Sequence, residues 1–315
     1  MGNSTSEPGS TDPNTVRAEV DVDQVERLSH TQGFDVDEFL VTRRDTEFPV
    51  TLHSKSEPRV EDARLVHASG NAIELRIGDQ NTRRSGTVVK LTVPADAAVT
   101  VYRLTVSGKY DDGEAFQVTL KRSVVVLFNA WSKNDGVFVE NEDWREEYVL
   151  NSNGRLYAGS TTGMPWNLAL YRPACLRAVL MLLDQVSDLT FDQKRNPVLV
   201  SREMSALVNV QDDNGVLVGR WDGEYGDGRA PTFWRGSGQI LEQYYQSGGQ
   251  AVRYGQCWVF SGVLLTVLRI LGIPSRSITN FSSAHDTNRN RTIDEYYNEA
   301  GEKVHYLSSG SDSVW

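Results

Sequence analysis

Cys257 sits where a short loop, Arg253-Tyr254-Gly255, gives way to a long apolar run, and that setting favours thiol chemistry. The first N–H groups of a helix and the positive end of its dipole stabilise a thiolate. Gly255 allows close backbone approach by a substrate, and Cys257 with its neighbours can present backbone N–H groups to a developing oxyanion. The competing reading is a small hydrophobe in a core, the usual fate of a thiol outside a disulfide. Position alone leaves the two level. The other cysteine, Cys175, falls mid-helix among Leu and Val and reads as inert.

A second set of residues alternates along one stretch. Asp286, Asn288, Asn290, Thr292 and Asp294 place oxygen donors at every other position, as a loop around a hard cation requires. It is not an EF-hand, since Arg291 stands at the sixth position where Gly is needed and Tyr297 at the twelfth where a bidentate Glu belongs. Taken alone, such a stretch is a polar turn more often than a metal site.

The elements that must hold these groups change character along the chain. Residues 1–27 are rich in Ser, Thr, Pro, Asp and Glu with little to bury, which predicts a flexible tail. Short alternating runs follow to about Trp131. In AVTVYRLTVSG, Tyr102, Leu104 and Val106 share one face while Val101, Arg103 and Thr105 take the other. Asp112-Gly113 predicts a hairpin turn before AFQVTL. FPVTLHS, RLVHA, AIELRIG, GTVVKLTV and SVVVLF supply further strands, the pattern of an antiparallel β-sandwich.

Beyond Trp131 the period becomes helical. Pro173 suits the first position of a helix through ACLRAVLMLLDQV. Ser201 can cap a helix from Arg202, and Gln239 to Gln246 forms another closed by Gly248 and Gly249. The run from Cys257 is apolar on nearly every face and ends at Gly272 and Pro274, so it belongs at a domain centre. The domains read as a tail (1–27), a sandwich (28–133) and a helix-rich domain (134–315).

A chain of 315 residues is long enough for two domains and a large core. Its net charge of −10 argues against a nucleic-acid partner, which needs a clustered basic face. No apolar stretch is long enough to span a bilayer. Two cysteines cannot staple a small secreted domain, and the amino terminus lacks the regions of a signal peptide, so a reducing, cytoplasmic setting is expected. Met1-Gly2 with Ser6 fits the short M-G-x-x-x-S/T pattern for N-myristoylation. One such chain gives only marginal, reversible membrane attachment.

Tyr254-Gly255-Gln256-Cys257-Trp258-Val259-Phe260 resembles the active-site segment of the animal, calcium-dependent transglutaminases almost without change. The likeness continues through LVGRWDGEYGDGRAPTFWRGS and FVENEDWREEYVLNSNGRLYAG upstream, and through LRILGIPSRSITNFSSAHDTNRN and SGSDSVW downstream. It spans nearly the whole chain after the tail and tips Cys257 to the functional reading. The fold it implies is an immunoglobulin-like β-sandwich followed by an incomplete papain-like, Cys-led α/β core.

The resemblance implies protein-glutamine γ-glutamyltransferase chemistry on protein Gln and Lys substrates or primary amines, with Cys257 as nucleophile. Trp221 would donate its indole N–H to the oxyanion, and Trp315 would wall the substrate tunnel. It also makes Asp286, Asn288, Asn290 and Thr292 a calcium loop completed by Asp312. A second site would use Ala206 through its carbonyl, with Asn209, Gln211 and Asp213; Gln211 departs from the shorter amide expected there. In the family the catalytic histidine follows the SDSVW segment, whereas this sequence ends at Trp315. His30, His53 and His67 read as structural, and His285 and His305 match no catalytic position. The implied piece is therefore expected to be inactive as it stands. A catalytically silent scaffold is the alternative from another class. A papain-like peptidase or amidase is disfavoured by the sandwich and the paired calcium loops.

Overall fold

The computed structural model describes residues 16–157, 162–213, 215–284, 290–305, 307–308 and 311–314. Gly2 and Ser6 of the acylation pattern lie outside them. The chain divides into two compact units, Met1–Glu140 with Leu189–Val200, and Asn141–Asp188 with Ser201–Trp315. Both strands and helices are present, in several sheets. No helix among the described residues is long and apolar enough to cross a membrane.

The first unit begins with β1 (Arg17–Glu19), α1 (Val22–Ser29), β2 (Phe39–Arg43), β3 (Glu47–His53) and β4 (Pro58–His67). It continues with β5 (Ala72–Glu74), β6 (Arg76–Arg83), β7 (Gly86–Thr92), β8 (Thr100–Tyr110), β9 (Ala115–Thr119) and β10 (Ser123–Leu127). One sheet runs β1-β3-β7-β6, and the other runs β2-β10-β8-β4-β5 with β9 also on β8. Phe48, Val50, Leu52, Val89 and Leu91 of the first sheet share one core with Leu65, Tyr102, Leu104 and Val106 of the second. The alternation in β8 explains this, since every second side chain of a strand faces the same side. The Asp112-Gly113 turn forms as expected, with Gly113 at φ 86° and Asp112 Oδ1 accepting the Glu114 N–H.

Two expectations for this unit need correction. The tail does not extend to residue 27. β1 pairs with β3, Asp21 Oδ1 caps α1 by accepting the Gln24 N–H, and Val16, Ala18 and Val25 are buried in the core. Those apolar residues are too few to stand out in a polar sequence, yet they suffice once a sheet edge receives them. The sandwich is also not wholly antiparallel. β10 runs parallel to β2, because the chain returns to that strand only after the long excursion through β3–β9.

Arg44 and Asp135 form a buried ion pair at 3.6 Å in this unit. Arg44 also donates to the Arg195 carbonyl, while Asp135 accepts the Asn129 N–H. Burial lowers Arg44 to about 10 and raises the Asp135 carboxyl.

The second unit carries α2 (Glu142–Arg145), β11 (Asn153–Leu156), β12 (Met164–Asn167), α3 (Pro173–Met181), α4 (Pro197–Leu207) and α5 (Val210–Asp213). Then come β13 (Leu217–Gly219), α6 (Gly238–Gln246), β14 (Val252–Gly255), α7 (Cys257–Ile270), β15 (Phe281–Ala284) and β16 (Ser311–Val314). Pro173 opens α3 as expected. α4 begins four residues before the expected Ser201 cap, because Asn196 Oδ1 accepts the N–H groups of Val198 and Leu199. No residue of α7 is exposed. Arg269 in its last turn donates to the carbonyls of Ser275 and Asn151, a buried cation at the negative helix end.

Candidate active site

Two short strands set the site. β13 runs parallel to β14, pairing Leu217 with Val252, Val218 with Arg253 and Gly219 with Gly255. Both strands end in glycine, and the chain leaves both at the same end. Two residues after Gly219 stands Trp221; two residues after Gly255 stands Cys257.

Cys257 is the first residue of α7 and is half-buried. Gln256, extended at φ −132° and ψ 178°, precedes the helix without making a side-chain capping bond. Its amide instead donates to the Arg220 carbonyl at 3.0 Å and to the Tyr225 hydroxyl at 3.2 Å. The thiol thus lies at the positive end of a fourteen-residue helix. Cys175 is also in a first helical turn, at the third position of α3 rather than mid-helix. Burial pushes that thiol up to about 12. A helix start is therefore insufficient to favour a thiolate when desolvation is complete.

Trp221 is 59% exposed, and its ring lies back over Gly219. A Cβ at residue 219 would come within 2.6 Å of Trp221 Cζ3 and 3.5 Å of Phe260 Cε2. A Cβ at Gly255 would lie 3.4 Å from that same Phe260 atom. Phe260, one turn into α7, thus borders both Gly219 and Gly255, the residues that end the two strands. The glycines make room for it.

The segment after Trp221 is bound to β14 by groups that sequence reading did not single out. The Arg220 N–H donates to the Gly255 carbonyl. Its guanidinium lies over the Tyr254 ring and donates to Asp222, Asp227 and the Tyr254 hydroxyl. That hydroxyl donates to Asp227 at 2.6 Å, chiefly holding the Asp227 carboxyl below its ordinary value. Arg253 completes the cluster on the other Asp227 oxygen at 2.8 Å. Trp234 Nε1 donates to the Tyr254 carbonyl. The dense charge of RWDGEYGDG was the available signal, but only folding shows which charges meet.

On the neighbouring face of α7 a cavity of about 700 Å³ is lined by Trp258, Trp166, Arg235, Thr232 and Asn153 among others. Trp258 Nε1 is buried with no hydrogen-bond partner among the described residues.

The Transglutaminase-like superfamily model matches residues 230–308, which include Cys257 and all of α7. Over 93% of its length the chain is 38% identical to protein-glutamine gamma-glutamyltransferase K of Oryctolagus cuniculus, covering 37% of that protein. Over 75% of its length it is 44% identical to the human protein-glutamine gamma-glutamyltransferase 4, covering 34% of it. The crystal structure of red sea bream transglutaminase superposes with a TM-score of 0.84 at 32% identity, over 96% of this chain and 48% of that one. The chain belongs to the transglutaminase family. It spans less than half the length of each of these three relatives.

Within this transglutaminase chain the expected cation ligands are only partly described. Ala206 lies in the last turn of α4 with its carbonyl accepting the Asn209 N–H at 3.0 Å, and Asn209 Oδ1 accepts the Gln211 N–H at 3.1 Å. Asp213 closes α5, but its side chain lies outside the described residues. In the other loop Asn290 Oδ1 accepts both the N–H and the hydroxyl of Thr292. Asp286, Asn288, His285 and Trp315 lie outside the described residues, as does the Asp312 side chain. The backbone of Asp312 pairs opposite Ser283 in the β15–β16 ladder, three residues before Asp286. Among the described residues no group of three or more His, Cys, Asp or Glu could hold a metal. The expected donors are all oxygens, the chemistry a hard cation takes. His305 is exposed in a turn.

Proposed function

We propose that this transglutaminase chain carries the acylation machinery of a calcium-dependent protein-glutamine γ-glutamyltransferase. The observation that carries the reading is the delivery of Cys257 and Trp221 to one end of the β13–β14 pair. The Cys257 thiolate adds to the carboxamide carbon of a substrate glutamine, and the carbonyl oxygen takes the negative charge. Trp221 Nε1–H and the Cys257 backbone N–H receive that oxyanion, a donor of this kind being worth about 3–4 kcal/mol. Collapse expels the amide nitrogen as ammonia, which takes up the proton the Cys257 thiol gave up on ionising, and leaves a thioester on Cys257. A lysine amine then attacks the thioester, giving an isopeptide bond and restoring the thiol. Trp315 is proposed to wall the substrate channel.

In the finer fold assignment, the first unit is an immunoglobulin-like sandwich and the second a papain-like, Cys-led core. Calcium would be held by Ala206, Asn209, Gln211 and Asp213, and by Asp286, Asn288, Asn290, Thr292 and Asp312. Bound there it would supply fixed positive charge to the acidic loops.

The test uses a peptide whose glutamine is replaced by 6-diazo-5-oxo-norleucine. With calcium present, a mass adduct is expected on Cys257 and none on the Cys257→Ala protein. Equal labelling of both proteins, or a label on Cys175, overturns the assignment; no label at all favours a silent scaffold.

A further inference from the structure

The geometry points to Arg220 as the positioning residue that sets the Trp221 indole against Cys257, through a clamp shared with Asp227, Tyr254 and Gln256. This rests on the proposed roles of Trp221 and Cys257. Both polar groups of the Arg220 main chain are held by the residues just before the thiol. Its N–H donates to the Gly255 carbonyl, and its carbonyl accepts from Gln256 Nε2. That carbonyl belongs to the same peptide plane as the Trp221 nitrogen, so the plane bearing the indole is pinned by the residue that precedes Cys257.

These two bonds fix the peptide planes on either side of Arg220 but leave the segment beyond Trp221 to swing. The Arg220 side chain removes that freedom. It donates to Asp222 at 2.9 Å, to Asp227 at 3.2 Å and to the Tyr254 hydroxyl at 3.0 Å. Asp222 and Asp227 flank the turn that follows Trp221, whereas Tyr254 lies on β14. The planar guanidinium therefore ties both ends of the turn to the nucleophile's own strand, a geometry that an ammonium cannot reproduce at three partners. The Trp221 ring itself is mostly exposed and lies over Gly219. An oxyanion donor must be in place before charge develops, so the clamp replaces the packing that a buried indole would have.

Two reactions of Cys257 separate positioning from structure. Acylation by p-nitrophenyl acetate passes through an oxyanion, and alkylation by iodoacetamide does not. Loss of a well-placed donor should slow only the first. In the full chain, Arg220→Gln is expected to lower the acylation rate of Cys257 about tenfold, short of the 10²–10³ for removing a donor outright. Alkylation should stay within about twofold of the unsubstituted protein, since it needs no oxyanion donor. Arg220→Lys should recover part of the loss, and Asp227→Asn should show the same selective decrease. Parallel falls in both rates, or no change in either, overturn the clamp. If Cys257 of the unsubstituted protein is not acylated at all, the proposed function falls first and the clamp with it.

Discussion

Gly219 stands directly opposite Gly255 across the parallel pair of β13 and β14, and the chain continues from one to Trp221 and from the other to Cys257. A parallel pair is what this arrangement needs. In an antiparallel pair the two chains would leave at opposite ends.

Gly219→Ala tests that pairing at its tightest point. The new methyl would meet the Trp221 ring at 2.6 Å, and the ring, being the end of an exposed side chain, can yield. The fold should therefore survive while the indole is displaced. Acylation of Cys257 by p-nitrophenyl acetate is expected to fall roughly tenfold or more, as a misplaced donor implies, with the thermal midpoint nearly unchanged. An unaltered acylation rate would show that the Trp221 position is immaterial.

The two thiols should differ sharply. At pH 8 iodoacetamide is expected to modify Cys257 in the native protein and Cys175 only after denaturation, as peptide mass mapping would show. Burial raises Cys175 from 9.0 to about 12. Its neutral form thus supports the fold fully below about pH 9 and loses that contribution as pH rises through about 12. Alkylation of Cys175 at the same rate as Cys257 would contradict its burial.

Gly262 is the residue that lets α7 lie against Trp166. A Cβ there would fall 2.5 Å from Trp166 Nε1, which donates to Ser237 Oγ, which in turn donates to the Gly262 carbonyl. All of these groups are buried, so no exposed side chain can move aside. Gly262→Ala should cost about 1–3 kcal/mol, the ordinary penalty of overpacking, read as a lower urea midpoint.

Arg44→Met should destabilise far more than a surface change. It leaves Asp135 buried without its cation, a loss of about 3–5 kcal/mol at pH 7. The Asp135 carboxyl is already raised by burial and rises further once Arg44 is gone. A raised carboxyl contributes stability that is fully present below its unfolded pKa and lost as pH rises through its folded value. The deficit of the variant, measured by urea unfolding, should therefore shrink between pH 7 and pH 4. A deficit that grows in acid would refute the uncompensated charge.

What could be learned from the residues in order was local. Alternation in Tyr102, Leu104 and Val106 identified a strand and its inward face, Asp112-Gly113 a turn, Pro173 a helix start, and the motif around Cys257 a family. These signals are short-range, because periodicity and turn chemistry are written within a few residues. The end of the tail was missed for the opposite reason. Val16, Ala18 and Val25 are isolated in the sequence and acquire meaning only against β3 and the core.

The tertiary structure alone decided the parallel return of β10 to β2, the fate of each thiol and the partners of Arg220. Two cysteines both stand in first helical turns, and depth of burial rather than sequence position distinguishes them. Likewise Arg220, Asp227 and Tyr254 are up to 34 residues apart, and their bonds exist because β13 and β14 lie side by side. Local order names the groups able to do chemistry. Desolvation and long-range pairing choose which of them face one another.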